Sequence, residues 1–578
     1  MRVTPARLIA TRPGTLLDPT RGARVASAEV VGRPLDPGGA GSTRRIHAVL
    51  GLILLGAAGL RLAAVGLGHP FLSFQPDEDA NALRALRLAH GELNPQYFYY
   101  PALLWYLLAA GYRLIFWFGR ELGLLLTWDD FARFYNNSPT LFYLGRVLSV
   151  GFGTATVACL YLLGRRAFSS THGLLAASFL AGAFLHVRDS ALSTTEAPLT
   201  FFVVLALLGA VRVHQEGRVR DYALTGLAAG LAAATKYNAV LVLVALGVAH
   251  VLRRGDQGIP VLRTLGEWRV VGAGLLASVV FVALNPFLLL DWPHAWATPD
   301  AWGSLAWEWR YVHTVEYLDL RPVWWYHLSV SLRYGMGVAL LALAQAGLLL
   351  GLWRRDAASL ILLSFTLPFF AAMVSLQAVF VRYMTPLVPV LCLFAAVALQ
   401  RAIRPLPWPR LRPWVTVGLA VLVLLEPLGA SVAYGRLTRH MDTRIQMFAY
   451  MKTALPRSSR VATYGPSVTW RSTMPRWLPT MYAKDPTQSW AEVLRDLKSR
   501  DIQYVVVHQS PLDVFSPEVP ELHRVLRQSA TLVKTFSPYK NGTHPAPLFD
   551  RNDAYYFPVG QFSGIVRPGP FVQLYRLD

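Results

Sequence analysis

From residue 46 to residue 430 the chain alternates between apolar runs near twenty residues long and short polar connections. A helix of about 20 residues crosses the ~30 Å hydrocarbon layer of a bilayer, so each run predicts a membrane helix. Eleven runs read this way: 46–66, 141–164, 173–187, 197–213, YALTGLAAGLAAAT, NAVLVLVALGVAHVL, 270–290, 335–353, 358–375, 384–400 and 414–430. The pair flanking Lys236 and Tyr237 is short for full crossings, which leaves tilt or a re-entrant arrangement open. YFYYPALLWYLLAAGYRLIFWFG (97–119) is apolar enough to span, yet it is dense in Tyr and Trp and carries Arg113, the composition of an interfacial segment. We read it as interfacial. Adding it together with part of 120–140 would preserve the sidedness of later loops, so the expectation is a polytopic α-helical membrane protein with 11–13 transmembrane helices.

The pattern changes at residue 431. AEVLRDLKSR has helical periodicity, IQYVVVH (502–508) reads as a buried strand and VATYGP (461–466) as an earlier strand ending in a turn. Residues 431–578 are therefore expected to form a soluble α/β domain with its own core. Residues 1–45, rich in Arg, Pro and Gly, read as a disordered cytoplasmic tail without a cleavable signal peptide. Between these ends lies the membrane domain, 46–430, with a first outer loop at 67–140 and an aromatic outer loop at 291–325.

Composition agrees with this division. Hydrophobic residues make up 54% of the chain and charged ones 15%, with mean hydropathy +0.36, too little charge to cover a soluble protein of 578 residues. The net charge of +21 does not call for nucleic acid. Much of it sits in short patches between apolar runs: Arg44 and Arg45; Arg165 and Arg166; Arg212, Arg218 and Arg220; Arg253, Arg254, Arg263 and Arg269; Arg354 and Arg355; and Arg401, Arg404, Arg410 and Arg412. The positive-inside rule puts those patches in the cytoplasm, the N-terminus inside and residues 431–578 outside. Cys159 and Cys392 fall within apolar runs and read as packed side chains.

The same parity brings scattered polar residues to the outer face. They are Asp77 and Glu78; His186, Arg188, Asp189 and Glu196; Lys236, Tyr237 and Asn238; His313 and His327; and Arg382 with Tyr383. Asp77, Glu78 and Asp79 could simply cap the helix through ANALRALRLAH. Carboxylates and cations together at one face also suit an anionic donor and an acceptor that must lose a proton. An anionic lipid phosphate fits, with Lys236 or Arg382 holding it. Snorkelling explains Arg113 more comfortably than Lys236, the one lysine in the first 451 residues. The loop 291–325 carries seven of the 17 tryptophans, as an aromatic belt or a substrate wall would. No phosphate-binding Gly-rich loop, dinucleotide fingerprint or CxxC is present, so no nucleotide cofactor is expected.

Four passages, taken in order, resemble a known family. They are SFQPDEDANALRALRLAHG leading into GELNPQYFYYPALLWYL, RDSALSTTEAPLTFF, GLAAATKYN and FVRYMTPLVPVL, and the ending DRNDAYYFPVGQFSGIVRPGPFVQLYRL is similar more loosely. They resemble the GT-C superfamily of membrane glycosyltransferases, in the branch of protein O-mannosyltransferases and aminoarabinose lipid A transferases. Members carry an Asp-Glu pair in the first outer loop, here Asp77 and Glu78, and more often have Asp where this chain has Glu196. The resemblance implies a GT-C fold in the plasma (inner) membrane. It also implies a hexosyl- or pentosyltransferase moving a sugar from a polyprenyl-phosphate carrier to a protein hydroxyl, glycolipid or envelope glycan outside. Asp77 and Glu78 would be catalytic, and Lys236, Tyr237, Arg188, Arg382, Tyr383 and His327 would bind substrate. A divalent metal on Asp77 and Glu196 is a further expectation. The alternative is a polyprenyl-linked sugar flippase or other envelope-lipid transporter. Against it stand the large outer domain and the lack of related halves.

Overall fold

The computed structural model describes residues 40–66, 75–124, 127–131, 140–264, 266–297, 303–305, 320, 322–376, 379–465, 480–481, 485, 487–512, 516–540, 548–550 and 556–578. Most of the tail 1–45 and most of the loop 291–325, with His313, lie outside them. The membrane part contains α1 (Ala40–Leu62), α2 (Pro76–His90), α3 (Leu103–Glu121), α4 (Thr140–Ala167), α5 (Ser170–Gly182), α6 (Phe184–Asp189) and α7 (Glu196–Gln215). It continues with α8 (Val219–Ala233), α9 (Val242–Asp256), α10 (Trp268–Leu284), α11 (Val338–Arg354), α12 (Ala357–Ser375), α13 (Val388–Ile403) and α14 (Arg412–Leu437).

Each of the eleven apolar runs is helical. Among the described residues, seven helical stretches are individually long and apolar enough to cross a bilayer. They are α1, α4, α7, α12, α14, and the stretches Tyr237–Asp256 and Val381–Ile403 that end in α9 and α13. The other four runs are short or broken. The α5–α6 run breaks at Ala183, whose ψ of 114° is extended. Helix α11 meets Val323–Met336 at a 117° bend, where Gly337 takes φ 79°, a conformation that glycine adopts without strain. The chain is a multi-pass membrane protein.

Burial sorts the helices. An apolar 18-residue stretch of α7 is 78% buried and one of the α13 stretch 83%, whereas those of α1 and α14 are 11% and 22% buried. The rim helices turn Leu52, Leu55, Trp414, Val417, Val421 and Leu425 outward, where lipid replaces water. Inside, small residues let backbones touch. A Cβ on Gly226 or Gly230 of α8 would come within 2.4 or 2.7 Å of the carbonyls of Ala273 and Ala277 on α10, and one on Gly347 of α11 within 2.0 Å of the Phe394 carbonyl on α13. Such close approach is how helices associate when no hydrophobic drive separates them from lipid.

The first outer loop folds as a two-helix layer. Helices α2 and α3 bury Ala82, Ala85, Trp105, Leu108 and Tyr112 between them and against the start of α4. Arg113 is not simply a snorkelling cation: its Nε donates to the Ala89 carbonyl at the end of α2, 2.9 Å away. The following segment is stitched to the bundle. Asn285 Oδ1 accepts from the Ala102 N–H (2.8 Å), and the Leu103 N–H donates to the Ala234 carbonyl (3.2 Å).

The C-terminal domain contains α15 (Thr443–Ala454), β1 (Val461–Tyr464), β2 (Thr480–Met481), α16 (Trp490–Ser499), β3 (Tyr504–Gln509), α17 (Val519–Ser529), β4 (Ala530–Phe536) and β5 (Phe571–Leu577). Its sheet runs β2-β1-β3-β5-β4, parallel through β2, β1 and β3 and antiparallel at β5 and β4. Alternation along β3 explains the layers. Val505 and Val507 face α16 and α17, while Val506 faces Met447 and Met451 of α15. Phe557, Phe562 and Ile565 then dock on Ala64, Phe184, Leu192, Tyr434 and Leu437, at the ends of α1, α6 and α14.

Candidate active site

The candidate residues sit where helices start or stop at the end of the bundle that carries the C-terminal domain. The arginine patches gather at the opposite end. There Arg166 and Arg218 share Glu216 (both 2.6 Å), and Arg253 and Arg269 donate to the His214 and Gly217 carbonyls.

Capping of α2 falls to Gln75, whose Oε1 accepts from the Asp77 and Glu78 N–H groups at 2.6 and 3.1 Å. The two carboxylates then diverge, because consecutive helical positions point about 100° apart. Glu78 is fully buried. Arg146 of α4 donates to it through Nε (2.8 Å) and Nη2 (2.6 Å), and the Ser193 N–H donates to Oε1 (2.8 Å). Glu78 thus ties α2 to α4 and to the turn before α7. Asp77 keeps 31% side-chain exposure and meets Arg382 Nη2 at 2.9 Å.

Arg382 lies in the tight turn Val381–Leu387 that leads into α13, stacked over Phe380 at 4.5 Å. Its Nε also approaches Glu196 at 3.8 Å. Glu196 opens α7, where the helix dipole favours a negative charge, and is 3% exposed. Lys236 follows α8, contacts Glu196 Oε1 at 3.2 Å and lies 4.5 Å from the centre of the Tyr383 ring. Asp77, Glu196, Lys236, Arg382 and Tyr383 therefore form one cluster from four separate chain segments. Burial, with Tyr99 and Asp77, pushes the Tyr100 phenol well above its usual pKa, so a neutral phenol stands beside this cluster.

Tyr237 lies one residue from Lys236 but turns its hydroxyl to the Phe98 carbonyl (2.8 Å). Its ring borders an apolar cavity of about 330 Å³, with Ala229, Ala233, Val240, Ala277 and Phe281. Arg188 lies 3.7 Å from Asp189, and both are within electrostatic reach of Tyr434. His327 is buried, with Nδ1 2.9 Å from Ser331 Oγ. The structure thus leaves Tyr237 beside the cavity and Arg188 beside Asp189, and His327 makes its hydrogen bond within its own helical segment.

A divalent metal does not fit this donor set. Glu78 faces Arg146, and the guanidinium of Arg382 reaches both Asp77 and Glu196, so cationic side chains hold the space a metal would need. Among the described residues no group of three or more His, Cys, Asp and Glu side chains comes together to hold an ion. Sequence reasoning passed over Arg61 and Arg146. Each is a lone cation inside an apolar run, which is a readable signal of a buried partner.

Residues 142–284 match the sequence profile of the dolichyl-phosphate-mannose-protein mannosyltransferase family. No curated protein matches over the chain by sequence. Among solved structures, the archaeal oligosaccharyltransferase AglB from Archaeoglobus fulgidus, in complex with an inhibitory peptide and a dolichol-phosphate, superposes with TM-score 0.50. The match has 12% identity and covers 86% of this chain and 74% of that one. ArnT from Cupriavidus metallidurans bound to undecaprenyl phosphate gives TM-score 0.46 at 14% identity, over 93% of this chain and 98% of that one. The match to the archaeal oligosaccharyltransferase speaks to fold alone, and there the long apolar helices with an appended β-sheet domain agree with the expectation: the chain has a GT-C fold.

Proposed function

We propose that the protein is a glycosyltransferase that moves a sugar from a polyprenyl-phosphate carrier to an acceptor at the extracytoplasmic face of the plasma membrane, by a single inverting displacement. One observation carries this reading: of the three carboxylates Asp77, Glu78 and Glu196, Asp77 alone is reachable, and it is paired with a cation that also serves Glu196. Asp77 takes the proton of the acceptor hydroxyl, the acceptor oxygen attacks the anomeric carbon, and the carrier phosphate leaves. As Asp77 is neutralised it loosens its hold on Arg382, just as the phosphate gains charge. Arg382 and Lys236 are the groups that stabilise that charge. Glu196 holds both cations in place before the donor arrives. The apolar cavity beside Tyr237 supports a lipid-linked donor, because an isoprenoid chain beginning there would bring its phosphate to the neighbouring Lys236. The family match over 142–284 supports the same donor class.

The test mixes purified protein in lipid nanodiscs with a polyprenyl-phosphate sugar and an extract of envelope acceptors, read by mass spectrometry. Wild-type protein should glycosylate an acceptor and release polyprenyl phosphate. Asp77→Asn should be slower by about 100-fold or more, with unchanged melting temperature. Movement of the carrier across the bilayer without transfer would reject the proposal in favour of a flippase.

A further inference from the structure

Arg61 is a fully buried cation in α1 whose partners are all neutral. Its Nη1 donates to the carbonyls of Ala57 (2.9 Å) and Ala181 (3.3 Å), and its Nη2 to the carbonyl of Leu180 (3.3 Å) and to Nδ1 of His186 (2.6 Å). A guanidinium has no acceptor, so His186 must accept at Nδ1 and carry its proton on Nε2. Taking a guanidinium out of water is costly, and no carboxylate offsets it in this set of contacts. The placement has a consequence. The carbonyls of Leu180 and Ala181 are the ones left open where α5 breaks at Ala183. Arg61 closes that break and holds the first turn of α6 through His186.

Helix α6 is six residues long and ends in Asp189. Ser190 Oγ donates back to the His186 carbonyl at 2.5 Å, which stiffens the exit from the helix. The Asp189 carboxylate accepts a hydrogen bond from the Thr385 hydroxyl. Thr385 sits in the turn Val381–Leu387, three residues after Arg382. A continuous run of hydrogen bonds and one short helix therefore connects Arg61 to the turn that aims Arg382 at Asp77 and Glu196.

We infer that Arg61 and His186 are positioning residues for Arg382, setting the cation that meets the donor phosphate through α6, Asp189 and Thr385. The inference rests on the proposed function, under which Arg382 binds a phosphate. Neither residue touches substrate. Both decide where the Arg382 guanidinium stands.

The experiment measures binding of undecaprenyl phosphate to the full chain in phosphatidylcholine nanodiscs, with a melting temperature for every variant. His186→Leu keeps the Arg61 contacts to the three carbonyls and cuts only the link to α6. Thr385→Val removes the last hydroxyl of the relay at constant volume. Each should weaken binding about 3- to 10-fold. The double variant should be no weaker than the weaker single, because both cut one path. His186→Asn, which can place an acceptor near Nδ1, should restore binding. Arg61→Gln should match His186→Leu, and if it fails to fold the two downstream variants still decide. Unchanged affinity in His186→Leu, whatever its melting temperature, would overturn the inference, and so would losses that multiply in the double variant. A wild-type protein that does not bind undecaprenyl phosphate would instead reject the proposed function, and the inference with it.

Discussion

Asp77 and Glu78 are neighbours in the chain and opposites in the structure. One is partly exposed beside Arg382. The other has no exposure and is gripped by Arg146 and the Ser193 N–H. The sequence marks the pair as chemical, with Asp77 expected as the base and Glu78 as its support, but which of them faces the bundle depends on the roll of α2 against α4, which the sequence does not show. The buried pair makes a stability prediction. Arg146→Met strands a carboxylate without its counter-ion and should cost about 3–5 kcal/mol, read as a fall in melting temperature in detergent. Glu78→Gln in the same chain removes the stranded charge and keeps an oxygen for Ser193, so the double variant should recover most of the loss. A double variant as unstable as Arg146→Met alone would show that the pair does not act as a unit. Glu196 was readable from its place at the head of an apolar run, yet its two cations lie 40 and 186 residues further along, and no spacing rule reaches that far.

At the scale of elements, length and apolarity were enough to find the seven stretches that, among the described residues, are each long and apolar enough to cross a bilayer, because the bilayer fixes both. The breaks were less legible. The interruption at Ala183 sits inside GLLAASFLAGAFLHV without a proline, and the 117° bend at Gly337 depends on a left-handed backbone that composition does not announce. Segment 97–119 was ambiguous for a physical reason. Helix α3 has an apolar face that packs on α2 and an aromatic remainder, so its hydropathy resembles that of a span. Packing through glycine is testable. Gly226 and Gly230 hold α8 against α10, and Ala229, Ala233 and Ala277 of the same two helices line the apolar cavity. Gly226→Val cannot fit within van der Waals contact of the Ala273 carbonyl and should destabilise the protein by about 1–3 kcal/mol. The same change at Gly272, which has open space around its Cβ position, should be near neutral. Equal losses at the two positions would contradict close packing as the cause.

For the whole molecule, the arginine patches and the acidic cluster occupy opposite ends of the bundle, and the sheet domain docks at the acidic end. The positive-inside rule then predicts that the C-terminal domain lies outside. Cys159 and Cys392 are both buried, so a cysteine placed at exposed Ser499 should report alone. An impermeant maleimide should label Ser499→Cys in intact spheroplasts. Labelling only after lysis would turn the molecule over and remove the outer-face chemistry.

The most direct test of the account is a structure with a polyprenyl-phosphate sugar bound. The predicted complex has the phosphate against Arg382 and Lys236, the isoprenoid chain in the cavity beside Tyr237, and the anomeric carbon facing Asp77 with room for an acceptor hydroxyl within hydrogen-bond reach of its carboxylate. A donor head group more than about 10 Å from Asp77, or one entering from the arginine-rich end, would contradict it, because proton transfer needs direct contact or a single bridging water.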